Sequence, residues 1–275
     1  MLRSVKDTED YSIEAPDGIV GRVRDLYFDD ESWVIRYLVV ETGEWLSKRR
    51  VLISPIAIRE ANWPEKRLFV SITQAQVKNS PNIDTHKPVS RQHEIGYLGY
   101  YGYPYYWGGG GLWGAGLYPG MMLSSAGYGG ATPEHRQVQA QMVPIDAEMG
   151  AKQRRSDDPH LRSGNEVMRY YVHATDGDIG HIQNLIVDEK TWAIRYLIVN
   201  TSNWWLGHEV LIAPQWIDDI NWAESTVTVG LTRQAVRHSP TYDATIPLDR
   251  EQETELHGHY GRHGYWQNEA NTKVE

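Results

Sequence analysis

Along its first third the chain gathers apolar and β-branched residues into runs of about five to nine, separated by turn-forming residues, the signature of short strands. "IVGRVRDLYF", "WVIRYLVVET", "RRVLISP" and "RLFVSI" are these runs. Asp17-Gly18 ahead of the first predicts a tight hairpin, because glycine adopts the positive φ that such a turn needs. "DDES" from Asp29 and "NWPEKR" from Asn62 read as further turns, Pro64 being admissible there and excluded from a central strand. Period two along the second run places Trp33, Ile35, Tyr37 and Val39 on one face and Val34, Arg36, Leu38 and Val40 on the other. After the last run, Thr73 stands at an N-cap before "QAQVKNS", which predicts one short helix stopped by Ser80-Pro81.

The whole pattern recurs. From Tyr11 and again from Tyr170 the sequence matches itself without a gap at an offset of 159 residues, with roughly 32 of 84 positions identical between Tyr11–Glu94 and Tyr170–Glu253. Gly18, Trp33, Arg36 and Trp63 meet Gly177, Trp192, Arg195 and Trp222, and these eight are expected to hold structural positions. Ungapped identity over that length marks duplication of a whole domain. Five or six short strands and one helix in about 80 residues fit a small barrel or sandwich.

The succession of Asp-Gly, Gly-x-(Val/Ile), the Trp-x-Ile-Arg-Tyr-Leu strand, "VLISP" or "VLIAP", and the closing Thr and Ser-Pro resembles the PRC-barrel domain. That family takes its name from the cytoplasmic domain of the photosynthetic reaction-centre H subunit, and a related barrel occurs in a ribosome-maturation factor. "DTHKPVSRQHE", ending at Glu94, is similar to tails common in bacterial PRC-barrel proteins. The resemblance implies an all-β chain: two small barrels, each with a short C-terminal helix, joined by a Gly/Tyr-rich flexible segment. The domains are then 1–94 and 166–253, with an aromatic tail and Gly-rich linker at 95–165 and a His/Gly/Tyr tail at 254–275. It also implies a non-enzymatic docking module with no cofactor, and a photosynthetic light-reaction role on resemblance alone. The alternative it offers is an RNA-processing or ribosome-assembly factor.

"LGYYGYPYYW", from Leu98, is the counterpart of "HGHYGRHGYW", from His257, at the same offset. Each repeat therefore carries its own aromatic tail, expected to pack partly on its barrel or on a partner. Tyr101, Trp107, Tyr260 and Trp266 are its interaction candidates. Leu112 to Gly130 lacks charge, yet glycine, tyrosine, serine and proline dilute it too far for a spanning helix. Contact with a headgroup layer through tyrosine and tryptophan is a further expectation. Gly108–Pro133, absent from the second copy, reads as a flexible insert.

Composition narrows the chemistry. A net charge of −9 disfavours phosphate neutralisation, and so nucleic acid, as the main business of the chain. Cysteine is absent, which removes disulfides and thiolate chemistry. The opening residues have no apolar run and do not read as a signal peptide, so a cytoplasmic location, peripheral to the inner membrane, is expected. No nucleophile elbow, phosphate loop or dinucleotide fingerprint is present, and no small-molecule substrate suggests itself. His257, His259 and His263 are the nearest approach to a metal set, without a completing carboxylate or thiolate; no metal site is expected. Arg36 and Arg195, flanked by aliphatics, must snorkel out or meet an acid, with Asp29/Asp188 and Glu65/Glu224 as the paired candidates.

The copies diverge most in charge. Lys48, Arg49 and Arg50 of the first become Gly207, His208 and Glu209 in the second, which holds roughly 12 acids against 5 bases. Lys48, Arg49 and Arg50, with Glu209, Asp218 and Asp219, are interaction candidates, suited to pairing the repeats or to facing protein partners.

Overall fold

The structure is a computed structural model, describing residues 1–81, 89, 91–107, 109–125, 160–201 and 208–267. Its contacts divide the chain into two units: Asp7–Asn165 with Glu189–Ala193, and Met1–Lys6 with Glu166–Asp188 and Ile194–Glu275. The chain opens with β1 (Leu2–Ser4), which belongs to the second unit.

In the first unit, β2 (Ser12–Ala15), β3 (Gly18–Asp29), β4 (Val34–Thr42), β5 (Arg50–Ile53), β6 (Ile58–Asn62) and β7 (Arg67–Val70) form one sheet. Its order is β5-β4-β3-β2-β7-β6, and β8 (Leu161–Ser163) adds to β3 as a seventh strand. The pairings are antiparallel except β2 with β7. Gly18 has φ +142° and Gly177 +137°, the conformation expected of the Asp-Gly hairpins. In the "DDES" turn the Asp29 carboxylate accepts from Glu31 N (3.0 Å) and Ser32 N (3.2 Å). Trp33, the next residue, is forced to φ 54°, and Trp192 repeats this at 60°, a costly conformation for a bulky side chain that burial of the ring must offset.

The sheet is open, not the closed barrel anticipated. Its edges β5 and β6 follow one another in the chain through a 3-10 turn at Pro55–Ala57, yet no ladder joins them among the described residues. At this edge Tyr97 Oη accepts from Ser54 N (3.3 Å) and donates to Leu52 O (2.9 Å), taking up backbone groups that a closing strand would use.

The second unit repeats the plan with β9 (Tyr171–Ala174), β10 (Gly177–Asp188), β11 (Ile194–Asn200), β12 (Glu209–Ile212), β13 (Ile217–Asn221) and β14 (Thr226–Val229). The order is β12-β11-β10-β9-β14-β13, again open, with β1 paired to β10. Here Tyr242 N donates to Glu209 O (2.8 Å) at the β12 edge, and Val210 bridges Thr241.

The expected short helices are α1 (Gln74–Lys78), where Thr73 and Gln76 complete a capping box, and its counterpart Arg233–Arg237, capped by Thr232. Each unit adds a longer helix that runs across the boundary read from sequence: α2 (Arg91–Tyr101) and a helix at Arg250–His259. Glu94, Tyr97, Leu98 and Tyr101 are buried, an i, i+3, i+4, i+7 stripe that lays α2 on the sheet. The strand β4 is consequently buried on both faces, and Arg36 has no route to solvent. The expected flexible insert falls partly outside the described residues; its described part includes Trp113, fully buried, and a helix at Pro119–Ser125.

Candidate functional site

The most unusual chemistry in each unit is a buried cluster built where the long helix meets the central strand. In the first unit β4 supplies Arg36 and Tyr37, α2 supplies Arg91 and Glu94, and the aromatic tail supplies Tyr106. Glu94 has no exposed surface at all. Its Oε1 accepts from Tyr37 Oη (3.0 Å) and Tyr106 Oη (2.5 Å). Its Oε2 meets Arg91 Nη1 at 3.3 Å and His160 Nε2 at 2.5 Å. A carboxylate so enclosed is tolerable only with its lone pairs matched by donors, and here they are.

Arg36, 3 % exposed, lies beside this knot. It donates to Leu112 O (2.7 Å) and Ser32 Oγ (3.0 Å) and faces Asp29 at 3.8 Å. The guanidinium also stacks over the rings of Tyr106 (3.9 Å) and Trp113 (4.8 Å). Of the two acids the sequence offered it, Asp29 is the one in reach. Burial lowers the Arg36 pKa, and burial with the Glu94 charge pushes the Tyr37 and Tyr106 phenols well up. Those phenols are donors held protonated, poorly suited to give up a proton.

The second unit holds the same arrangement at the same offset. Glu253 Oε1 accepts from Tyr196 and Tyr265, both at 2.9 Å, and its Oε2 meets Arg250 at 3.0 Å. Arg195 pairs with Asp188 (3.3 Å) and stacks over Tyr265 (3.8 Å). His257 stands where the first repeat has Leu98: Nδ1 donates to His263 O (3.0 Å) and Nε2 lies 3.1 Å from Tyr196 Oη. Burial raises the Glu253 pKa and lowers that of His257.

The remaining sequence candidates scatter. Trp63 and Trp222 pack beside Tyr11 (5.8 Å) and Tyr170 (6.0 Å). Tyr101 stacks on Tyr103, and burial raises its pKa to about 12. Tyr260 packs on Trp216. Trp107 and Trp266 cover Arg91 and Arg250, each at 4.2 Å, so both aromatic tails are fastened to their own units. Lys48, exposed, pairs with Glu44 (3.0 Å), half-buried Arg49 donates to Ser80 O and Pro81 O (both 3.4 Å), and Arg50 is exposed. Glu209 accepts from Gln183 (2.6 Å), whereas Asp218 and Asp219 are exposed on β13. Among the described residues no group of three or more His, Asp or Glu side chains is placed to hold a metal ion, and no helix is long and apolar enough to cross a membrane.

Sequence reasoning missed Glu94 and Glu253. The signal was available: Tyr37/Tyr196, Arg91/Arg250 and Tyr106/Tyr265 all recur with them at the one offset, and four polar residues preserved together between otherwise diverged copies mark a shared network. It also missed the first unit's open recess of about 720 Å³, lined by Asp10, Ser12, Glu14, Ile19, Arg22, Pro64, Glu65, Lys66 and Arg67.

Residues 13–77 match the PRC-barrel domain. The PRC-barrel match runs from β2 to α1 and stops short of α2, so Glu94 and the aromatic tail lie beyond it. The second repeat is linked to it by the internal duplication and by its identical strand order. No curated protein matches the chain.

Proposed function

We propose that the chain is a non-catalytic docking protein that uses its PRC-barrel repeat to bind protein partners in the cytoplasm, at the inner-membrane surface where a partner is anchored there. The observation that carries this reading is the contrast between two sets of charged groups. Arg36, Glu94, Arg195 and Glu253 are buried and make their charged contacts within their own chain. Around the recess, Arg22, Lys66 and Arg67 alternate with Asp10, Glu14 and Glu65 about Ile19, an aliphatic side chain left 60 % exposed. An apolar centre ringed by both signs of charge suits a protein surface, where opposed charges set orientation and the apolar centre supplies affinity. A phosphate backbone calls for one sign only. The light-reaction role is the resemblance's extension of this reading.

The test is affinity capture with the full chain from native lysate, membranes and ribosomes fractionated separately, beside the variant Arg22→Glu/Lys66→Glu/Arg67→Glu. Specific proteins should be retained by the wild type and fall about tenfold with the variant, on the order of 1.4 kcal/mol. Recovery of ribosomal RNA in their place, or a protein set indifferent to the charge reversal, sinks the reading.

A further inference from the structure

Each sheet takes its seventh strand from beyond its own repeat, and the two strands are the same tripeptide. Leu2-Arg3-Ser4 and Leu161-Arg162-Ser163 stand at the offset of 159, so the duplication begins at Leu2, earlier than Tyr11. By that correspondence β1 precedes the first repeat, yet it pairs with β10 of the second. The strand β8 precedes the second repeat and pairs with β3 of the first. The register is identical as well. Leu2, Arg3 and Ser4 face Asp188, Val187 and Ile186, and Leu161, Arg162 and Ser163 face Asp29, Phe28 and Tyr27, the same positions once the offset is removed.

The acceptor edges are matched in side-chain chemistry too. Asp25 accepts from Ser163 Oγ (2.6 Å) and Asn165 N (3.1 Å). Its counterpart Asn184 donates to Ser4 Oγ (2.6 Å) and accepts from Lys6 N (3.3 Å). Each edge therefore reads the serine of a Leu-Arg-Ser strand and the amide two residues after it. Nothing in that recognition depends on which chain the strand comes from.

We propose that these two edges are strand-acceptor sites through which a second copy of this chain is bound, its Leu2–Ser4 strand entering the β10 edge by exchange. A three-residue strand contributes few ladder bonds, so the closed arrangement within one chain is favoured by its high effective concentration, and protein concentration shifts the balance towards exchange. This inference rests on the strand pairing alone and is independent of the docking role proposed above.

The absence of cysteine from the sequence makes the test clean. Val5 N donates to Leu185 O, so Ser4 and Ile186 form the adjacent non-hydrogen-bonded pair, whose close spacing suits a disulfide. Two full-length chains of different tag mass, one Ser4→Cys and one Ile186→Cys, are refolded together and oxidised. The expected result is a disulfide-linked heterodimer whose yield grows with protein concentration and greatly exceeds that of Ser4→Cys paired with Asp219→Cys. The double variant Ser4→Cys/Ile186→Cys should close within one chain at low concentration. A double variant that closes while the mixed chains stay unlinked shows a strand fixed in its own chain and overturns the proposal. Equal linkage to Asp219→Cys, or a double variant that never closes, overturns it too.

Discussion

Arg36 and Arg195 occupy the same place in their central strands, and the first repeat brings to its arginine a segment that the second repeat lacks. Arg195 stacks on Tyr265 and pairs with Asp188. Arg36 stacks on the equivalent Tyr106 and adds a second ring, Trp113, and the carbonyl of Leu112. Both additions come from the Gly-rich segment that the second repeat lacks. Uncharged and rich in glycine, that segment reads as spacer; in its described part it is a lid over a buried cation. The comparison teaches that the arginine–tyrosine stack is common to both copies, while Trp113 reaches Arg36 from a segment only the first copy has.

The sharpest way to break the comparison is Trp113→Ala. The ring is fully buried and its Nε1 donates to Thr191 O at 2.8 Å, so truncation should cost about 3–5 kcal/mol in the first unit. Hydrogen exchange should localise the loss to the peptide 34–42 and leave 194–200 unchanged. Equal loosening of both peptides would show that the ring does not serve the first unit alone. Next in size is Arg36→Ala. It removes the cation from Asp29 and leaves the Leu112 carbonyl without its donor, for about 2–4 kcal/mol by urea denaturation. Arg195→Ala should destabilise the second unit by a comparable amount, since Arg195 is as deeply buried, pairs with Asp188 and stacks on Tyr265. An unchanged urea midpoint for either variant would show that its arginine contributes nothing to its own unit.

How much of this was legible in the sequence varied by element. The strand runs, the Asp-Gly turns and the Thr73 cap were, because local backbone demands dictate them. The helix α2 was not: its buried stripe is Glu94, Tyr97, Leu98 and Tyr101, and an acid with two phenols does not read as a core face. Strict alternation along β4 set Arg36 and Tyr37 on opposite faces. The register slips at Arg36, between the pairs Phe28–Ile35 and Tyr27–Tyr37, and this bulge brings both side chains to the Glu94–Tyr106 cluster. Strand exchange left almost no trace, three residues divided from Tyr11 by positions that do not match. The open sheets were equally invisible, since the contacts at their edges, Tyr97 at β5 and Tyr242 N at β12, come from residues far along the chain. Among the functional candidates, Lys48 and Arg50 lie on the surface as the charge run suggested, while the local contacts of Lys48 with Glu44 and of Arg49 with Ser80 O were not legible in it.

A smaller effect separates the clusters by pH. Burial raises the folded-state pKa of Glu253, so its contribution to stability is present below the ordinary carboxylate range and lost as pH rises through the folded value. Glu253→Gln lacks this loss. Its stability relative to wild type should therefore climb between about pH 4 and pH 7, by about 1 kcal/mol, in parallel urea titrations. A flat difference across that window would mean that the donors from Tyr196, Tyr265 and Arg250 compensate burial fully.

The smallest change tests how closely the two acceptor edges correspond. Asp25 and Asn184 differ in one atom and in charge. At Asp25, Oδ1 accepts from Leu26 N (2.8 Å) and Asn165 N (3.1 Å), while Oδ2 accepts from Ser163. At Asn184, Oδ1 accepts from Leu185 N (2.8 Å) and Lys6 N (3.3 Å), and the amide nitrogen takes the serine with the donor role reversed. A hydroxyl both donates and accepts, so Asp25→Asn can keep every contact by rotating the Ser163 proton. What the substitution removes is a buried charge, whose desolvation raises the Asp25 pKa. With the folded pKa raised, ionisation of Asp25 weakens the fold as pH climbs past the usual aspartate range, and asparagine abolishes that weakening. Asp25→Asn should therefore raise the urea midpoint at pH 7, by about 0.5–1 kcal/mol, and the gain should vanish towards pH 3, where the wild-type carboxyl is protonated. A loss at pH 7 would mean that the first edge needs the carboxylate itself to hold Leu161–Ser163, and that the two edges, alike in register, bind their strands by different chemistry.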